Sequence, residues 1–330
     1  MAAAPGRELR IAVVGATGAV GEQIVELIDA RALPCSELVL FASERGATET
    51  VEALGEALSV AEFHEPAELS RFDIAFLAVA PSRAAEIVRA HPGPLLVDLS
   101  AARRAPEDVA SIPLVAPAFT PPERVAALAA RCQTVGIPHP AAHALAMIVS
   151  AAGAPTPVVC ATVMLGASAG GRDSVEEVAR EARELLSGTH NLEEGEVQRS
   201  FNAYPAEPGF ASALCAQTAA LLGGGGPRLV VEAVHVGVLH GSGMTVLIPD
   251  LANPKKLTER LRAAPGLLLV EGKEGGAGVV DAIGQEAILV THLERAGASV
   301  WCAFDSARLA ALDAVWIAEK LSAVAASGAA

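Results

Sequence analysis

The chain has 330 residues, of which 52% are hydrophobic, enough for one large or two ordinary domains with buried cores. Lys and Arg number 24 and Asp and Glu number 38, so the net charge is −14, and only 3% of the residues are aromatic. An acidic chain with so few aromatic side chains is a poor candidate for binding nucleic acid or an anionic membrane surface.

The cysteines are widely spaced and form no C-x-x-C pair, which argues against a disulfide framework or a zinc ribbon and favours a reducing compartment. They are Cys35, Cys132, Cys160, Cys215 and Cys302. The first ten residues have no sustained apolar run, so no signal peptide is predicted. Residues 132–171 carry no charged side chain, but prolines and glycines interrupt them before a span of ~20 apolar residues is reached. We therefore expect a cytoplasmic protein.

The first third of the chain alternates short apolar runs with amphipathic patterns. The runs predict strands at 10–14, 38–41, 74–79 and 95–98, and the amphipathic patterns predict helices at 19–28 and 83–91. Strands that alternate with helices indicate a parallel, doubly wound α/β sheet. We assign this Rossmann-like domain to residues 1–133.

Residues 134–306 follow another pattern, with long apolar strands and fewer helices between them. The predicted helices cover 140–151, 173–186 and 210–222, and the predicted strands cover 158–168, 228–248 (more than one strand), 287–293 and 299–304. This pattern indicates an α+β domain with a mixed or mostly antiparallel sheet. A last amphipathic helix is predicted at 307–324.

Residues 15–21, Gly-Ala-Thr-Gly-Ala-Val-Gly, follow a strand and open a helix, which is the context of a dinucleotide-binding loop. Gly15 would allow the tight turn, Gly18 would let the backbone approach a pyrophosphate, and Gly21 would permit close helix–strand packing. Glycine-rich turns of this kind also occur without a nucleotide. The predicted cofactor contacts are Gly15, Thr17, Gly18, Ala19, Val20 and Gly21.

The second strand ends in Ser43, Glu44 and Arg45. An acid at this point holds the ribose hydroxyls of NAD, whereas an arginine accommodates the 2′-phosphate of NADP. Ser43 and Arg45 therefore favour NADP, while Glu44 could serve NAD, and a plain solvated loop is the remaining interpretation.

These motifs and others along nearly the whole chain resemble the aspartate-semialdehyde dehydrogenase family. The chain reads Ala-Ser-Glu-Arg at 42–45, Asp-Leu-Ser-Ala-Ala-Arg-Arg at 98–104, Pro-Leu-Val-Ala-Pro at 113–117, Ala-Ser-Ala-Gly-Gly at 167–171 and Phe-Asn-Ala-Tyr-Pro at 201–205. These segments resemble the family motifs Ala-Ser-x-Arg, Asp-Asn-Ser-Ser-Ala-Phe-Arg, Pro-Leu-Val-Val-Pro, Ser-Gly-Ala-Gly and Phe-Asn-x-x-Pro, and residues 15–21 and the closing helix match as well. The resemblance implies NADP as cofactor, with Ser168 among its contacts. It also implies a homodimer formed through the second domain, and a last helix that returns to the first domain.

The resemblance also implies a covalent chemistry. In that family a cysteine thiolate attacks an aldehyde, the thiohemiacetal gives up a hydride to NADP, and phosphate releases the acyl group. A histidine acts as acid and base, and arginine and lysine side chains hold the substrate carboxylate and the phosphate.

Carried over residue by residue, most of this chemistry is missing. Pro140 stands at the position of the nucleophile, Ser242 at that of the acid/base, and His235 at that of a substrate-binding arginine. Three further polar residues of the family site are also replaced. Its glutamine falls on Leu165, its phosphate-binding lysine on Ala213, and the neighbouring glutamate near Phe210. Arg104 remains as a candidate anion-binding residue, with Arg103 as a one-residue alternative.

The pattern resembles the Usg-type paralogues, which lack the catalytic cysteine, and predicts an NADP-binding protein without the phosphorylating dehydrogenase activity. The alternative is an active NADP-dependent oxidoreductase of amino-acid biosynthesis that uses His240, two residues from the expected position, and an unassigned nucleophile. His139, His143, His235 and His240 could converge on a metal, but backbone-bonded imidazoles are the preferred interpretation, and no metal is predicted.

Overall fold

The protein is described by a computed structural model over residues 7–47, 49–90, 92–100, 112–131, 134–153, 156–189, 195–251, 253–271, 276–294 and 298–327. The chain divides into two compact units. One comprises Met1–His139 together with Ala310–Ala330, and the other comprises Pro140–Leu309.

Among the described residues, the first unit contains seven strands and three complete helices. It also contains most of the last helix of the chain. The strands are β1 (Leu9–Val14), β2 (Cys35–Ala42), β3 (Thr50–Ala53), β4 (Glu56–Glu62), β5 (Ile74–Leu77), β6 (Leu95–Asp98) and β7 (Thr134–Gly136). The helices are α1 (Ala19–Ala30), α2 (Pro81–Ala90), α3 (Pro122–Arg131) and α8 (Ser306–Ser327), which belongs to this unit from Ala310 onward.

The first sheet has the order β3-β4-β2-β1-β5-β6-β7, and every pair except β3–β4 is parallel. One face packs against α1, α3 and α8 through residues such as Ile24, Val125 and Val315. The other face packs against α2 and the preceding turn through Ile87 and Phe72. Helices on both faces of a parallel sheet confirm the predicted doubly wound architecture.

The second unit contains the remaining elements. They are α4 (Pro140–Ala152), β8 (Val158–Leu165), α5 (Arg172–Ser187), β9 (Ala203–Pro205), α6 (Phe210–Leu221), β10 (Arg228–Val236), β11 (Ser242–Ile248), α7 (Pro254–Ala263), β12 (Leu267–Leu269), β13 (Ile288–Glu294) and β14 (Ala298–Phe304). The sheet has the order β12-β13-β14-β11-β8-β10-β9. Only the β12–β13 and β8–β10 pairs are parallel, so the predicted mostly antiparallel sheet is confirmed.

Three predicted strands are shorter in the structure, and one of them, predicted at 74–79, ends at Leu77. The strand predicted to reach residue 168 ends at Leu165, because the N–H groups of Ala167 and Ser168 donate to Val238 and Leu239 and draw the chain into a 3₁₀ turn, Ala167–Gly170. The run 228–248 is interrupted at 237–241, where Gly241 has a φ of +80°.

The long apolar strand predicted at 158–168, after α4, is buried on one face only. In β8, Val159 and Val163 are buried, whereas Thr162 between them is exposed. The helices α4, α6 and α7 cover the inner face of the second sheet. Alternate side chains along each strand point to the outer face, where Val230 and Leu247 are exposed. None of the described helices is long and apolar enough to cross a membrane.

Candidate functional site

The loop 15–21 is bound to the carboxyl end of β2. The N–H groups of Gly15 and Ala16 both donate to the carbonyl oxygen of Phe41, at 2.8 and 3.0 Å. Gly15 has a φ of +88°, and a Cβ at this position would lie 2.3 Å from the carbonyl oxygen of Ala78. The turn that the sequence motif predicts is therefore formed, and it requires glycine at its first position.

The same loop leaves room beside the start of α1. Gly18 is the N-cap of α1, no side chain caps the helix, and a Cβ on Gly18 would meet only the Gly15 carbonyl oxygen, at 3.3 Å. A Cβ on Gly21 would lie 2.1 Å from that same oxygen, so Gly21 keeps helix and loop in contact. The first N–H groups of a helix have no acceptor within the helix and favour an anion. These residues fit a dinucleotide pyrophosphate.

A second loop follows β2 at the same edge of the sheet. The carbonyl oxygen of Ser43 accepts hydrogen bonds from the N–H groups of Gly46 and Ala47, at 2.8 and 3.0 Å. This turn leaves Ser43, Glu44 and Arg45 exposed. The structure therefore brings the predicted 2′-phosphate residues to the strand end next to the pyrophosphate loop, and Glu44 lies there with them.

Gly46 joins the two loops, and sequence reasoning did not single it out. A Cβ on Gly46 would lie 2.7 Å from the Thr17 hydroxyl oxygen and 2.9 Å from the Ala42 Cβ. The Thr17 side chain therefore packs directly against the backbone of the second loop. In the sequence, the one sign of this contact is that a glycine directly follows Arg45, which by itself is weak evidence.

In the second unit, three family positions fall in one row across the sheet. His235 pairs with Leu165, Leu165 pairs with Ser242, and Ser242 pairs with Phe304. Directly paired residues point to the same face of a sheet. This row lies on the inner face, where Leu165, Ser242 and Phe304 are buried.

Apart from the imidazole of His235 at its end, the row has little acid–base capacity. Ser242 is fully buried, and its hydroxyl accepts a hydrogen bond from the Ser306 hydroxyl at 3.0 Å. Leu165 beside it is apolar. A buried serine hydroxyl bonded to another serine cannot exchange protons near neutral pH as an imidazole does.

His235 ends the row and contacts two residues that the sequence did not point to. Its ring stacks on Tyr204, with 5.1 Å between ring centroids and 26° between planes. Its Nε2 lies 3.4 Å from a carboxylate oxygen of Glu207, which is largely exposed. Partial burial raises the pKa of Tyr204, and Arg199 opposes that rise. His235 therefore belongs to an aromatic pair at the end of the sheet rather than to an arginine-like anion clamp.

Pro140 is the first residue of α4 and is buried. Proline suits this position because the first N–H of a helix has no partner in the helix. The next turn is also enclosed, since His143 is buried and the Thr218 hydroxyl of α6 donates to the Ala142 carbonyl oxygen at 3.4 Å. The start of α4, where the resemblance would place a nucleophile, thus presents a proline side chain, which is not nucleophilic.

The other predicted residues are placed as follows. His240 is exposed in the connection between β10 and β11, two residues before Ser242. The Ser168 hydroxyl is buried and has no hydrogen-bond partner among the described residues. Arg103, Arg104 and Cys132 lie outside the described residues.

The four described cysteines do not resemble activated nucleophiles. Burial raises the pKa of the Cys35, Cys215 and Cys302 thiols, which disfavours the thiolate. Cys160 points from β8 to the outer face of the second sheet, away from the row. Over the described part of the chain, His, Cys, Asp and Glu side chains form no group of three or more that could hold a metal ion.

The fold and the glycine loop define a dinucleotide-binding α/β protein with a second, mostly antiparallel unit. The family profile "Semialdehyde dehydrogenase, NAD binding domain" matches residues 10–127. Aspartate-semialdehyde dehydrogenase of Synechocystis sp. is 30% identical over 343 residues, which cover 95% of this chain and 97% of that protein. A USG-1 protein homolog of Azotobacter vinelandii is 30% identical over 339 residues, covering 94% and 97%.

A solved structure shares the whole architecture. The structure of a probable aspartate-semialdehyde dehydrogenase from Pseudomonas aeruginosa superposes with a TM-score of 0.82 and 28% identity, over 96% of this chain and 98% of that one. The chain therefore belongs to the aspartate-semialdehyde dehydrogenase family, which here includes USG-1 homologues. Its first unit is a dinucleotide-binding domain of the NAD(P) type.

Proposed function

We propose that this protein is an NADP-binding member of the family that does not carry out phosphorylating oxidation of a semialdehyde. The observation that carries the proposal is the position of Pro140 at the start of α4, where the family nucleophile belongs. A proline side chain forms no covalent bond with an aldehyde, so the thioester route has no first step. Loss of this step costs orders of magnitude in rate.

The row across the second sheet supports the same proposal independently. An acid/base is needed when a thiol adds to an aldehyde and when water or phosphate attacks the acyl group. Ser242 cannot supply it, and Leu165 adds no polar group. His235 has neither the fixed charge nor the bidentate geometry of arginine for holding a carboxylate.

An active oxidoreductase that uses His240 and another nucleophile is the alternative. His240 is exposed, and exposure is compatible with such a role. However, three described cysteines have thiols whose pKa is raised by burial, and Cys160 lies on the outer sheet face. The described residues supply no partner for His240 in covalent catalysis, which favours the inactive protein.

The preference for NADP rests on Ser43 and Arg45. Both are exposed at the end of β2, beside a loop that fits a pyrophosphate. A guanidinium and a hydroxyl suit the 2′-phosphate of NADP. Bound NADP would supply a hydride acceptor, whereas this chain's residues bind and orient its phosphates.

A homodimer through the second unit is part of the proposal. The outer face of its sheet carries apolar side chains in register, since Val230 pairs with Cys160, and Cys160 pairs with Leu247. Val230 and Leu247 are 41% and 38% exposed. Exposed Arg228, Glu232 and Thr162 flank this apolar row on the same face. An apolar centre with a polar rim is the usual composition of an interface with another chain.

The covalent step can be tested by trapping. The purified protein is incubated with aspartate semialdehyde and NADP in the absence of phosphate, and its intact mass is measured. A family member with the catalytic cysteine accumulates an acyl thioester and serves as the positive control. We expect no adduct on this chain. An adduct on any cysteine, abolished when that cysteine is replaced, would support the active alternative.

A further inference from the structure

The structure assigns the exposed ring of Phe201 and the face of α5 beside it to a self-complementary contact with a second copy of this chain. The two features border one open groove of about 930 Å³ in the second unit. This inference rests on the proposed homodimer and names one of its contacts.

Phe201 is an exposed aromatic residue held in a strained conformation. It is 66% exposed and has a φ of +55°, in the left-handed region that favours glycine. Such a conformation persists only where the surroundings impose it. The ring gains no compensating burial within the chain, so the folding of a single copy does not explain its position.

The backbone on both sides of Phe201 is fixed by buried groups. The buried carboxylate of Glu181 accepts hydrogen bonds from the N–H groups of Arg199 and Ser200, at 2.9 and 2.5 Å. The Ser200 hydroxyl donates to the Val178 carbonyl oxygen at 2.7 Å. A Cβ on Gly237 would lie 2.5 Å from the Phe201 nitrogen, so this strand end approaches the loop closely. A rigid support for an exposed aromatic ring is typical of an interface anchor.

The groove beside Phe201 has a polar stripe along α5. Asp173, Glu176, Arg180 and Arg183 line it and are exposed. Their spacing of three, four and three residues puts them on one helix face. The acidic pair lies toward the helix start and the basic pair toward its end.

This stripe is complementary to itself. Asp173 and Arg183 are each five residues from Val178, and Glu176 and Arg180 are each two residues from it. Val178 itself is buried, on the opposite side of the helix. When two copies of α5 meet antiparallel through their charged faces, about a two-fold axis that crosses the helix at the level of Val178, each acid faces a base of the other helix. A two-fold contact requires such a self-complementary surface. The charge pattern therefore identifies a second copy as the occupant of the groove.

Existing ion pairs on α5 do not oppose this arrangement. Glu177 pairs with Arg199, and Arg180 pairs with Glu184 at 2.8 Å. Exposed pairs of this kind contribute little to stability. They can be exchanged for pairs across the contact, while Phe201 of each copy enters the groove beside Leu239.

Phe201→Gly tests the anchor, with Leu54→Gly as its matched control. Leu54 is also an exposed apolar residue with a φ of +55°, but it belongs to the first unit. A dilution series followed by light scattering gives the dissociation constant of each dimer. We expect Phe201→Gly to raise it at least about 50-fold and Leu54→Gly to change it less than about twofold.

The thermal midpoint separates an anchor from a structural residue. Measured where the proteins are monomeric, the midpoint of Phe201→Gly should equal or exceed that of the parent, because glycine accepts the left-handed conformation. A lower midpoint together with an unchanged dissociation constant would show a structural role and overturn the inference.

Charge exchange tests the antiparallel arrangement. Asp173 and Arg183 are about 15 Å apart along one helix and cannot pair within a chain. We expect Arg183→Glu to raise the dissociation constant about tenfold and the added Asp173→Arg to restore it. Failure of the second substitution to restore it overturns the arrangement. If the parent protein is monomeric, both this inference and the proposed dimer are overturned. If the parent is a dimer that Val230→Lys dissociates but the substitutions at Phe201 and Arg183 do not, only this inference is overturned.

Discussion

Arg45 is the residue on which the choice of cofactor depends most directly. Its guanidinium is exposed at the end of β2, in the turn held by the Ser43 carbonyl. We expect Arg45→Ala to weaken NADP binding by about 1.5–3 kcal/mol, the range for a lost charge-assisted hydrogen bond, and to leave NAD binding nearly unchanged. Calorimetric titration with both nucleotides measures this difference.

Glu44→Ala is the matched control for Arg45, since it neutralises the neighbouring exposed side chain. It should leave NADP binding unchanged or slightly stronger. If the parent protein binds NAD and NADP equally well, or if Glu44→Ala selectively weakens NAD binding, the acidic residue rather than the arginine reads the ribose.

Gly46 is a positioning residue between the two cofactor loops. In Gly46→Ala the new methyl group would collide with Thr17 and Ala42, so one loop must shift. We expect NADP binding to weaken by about 1 kcal/mol, roughly fivefold. Gly225→Ala places the same methyl group in open space and should have no effect. Unchanged NADP affinity in Gly46→Ala would show that the loops act independently.

Among the helices and strands, those with a regular apolar pattern can be predicted from the sequence, whereas those that form through contacts with other elements cannot. The central strands of the first sheet and the helices α1 and α4 are predicted within a few residues because their apolar patterns are regular or fully buried. The helix α5 is predicted as a charged, exposed helix, and only its Val178 and Glu181 are buried. The strands β3, β4, β7, β9 and β12 and the helices α3 and α7 are not predicted. These strands are short or only weakly apolar, so their formation depends on pairing with neighbouring strands rather than on their own composition.

The same distinction applies to the candidate site. The glycines of the first loop are readable because a motif places them at fixed positions, whereas the assignment of Pro140 to the position of the family nucleophile stays a prediction from the motif. Tyr204 and Glu207 were not found, since only the pairing of β9 with β10 brings them to His235. Gly46 was missed because its role arises from a contact with a loop 29 residues earlier.

From the residues His235, Leu165 and Ser242 in the row across the second sheet, we predict what happens when a cysteine is introduced at position 140. Pro140→Cys should gain a thiol at a helix start but no phosphate-dependent turnover, because Ser242 cannot act as acid/base and His235 cannot clamp a carboxylate. The production of NADPH from aspartate semialdehyde measures this. Turnover in the single variant within about a hundredfold of a cysteine-containing relative would mean that the row is not the site of acid–base chemistry.

For the whole molecule, the proposed dimer contact on the outer face of the second sheet can be tested at Val230, which is 41% exposed. Val230→Lys puts a charge on this face and should convert the proposed dimer to a monomer at micromolar concentration, since an unpaired charge in an interface costs several kcal/mol. Light scattering reads the mass. Leu54→Lys changes a residue of similar exposure, 37% against 41%, in the first unit and should leave the mass unchanged. A monomeric parent would contradict the proposal.

In the whole protein, we propose that a formed nucleotide loop accompanies a second unit without the catalytic residues of the family. The most direct measurement is the rate of NADPH formation by the unmodified chain with aspartate semialdehyde, phosphate and NADP, beside a cysteine-containing relative. We predict binding of NADP in the same preparation and no turnover above the rate without protein. Phosphate-dependent turnover that is lost on replacing His240 or Cys132 would contradict the account and show that the chain is an active dehydrogenase.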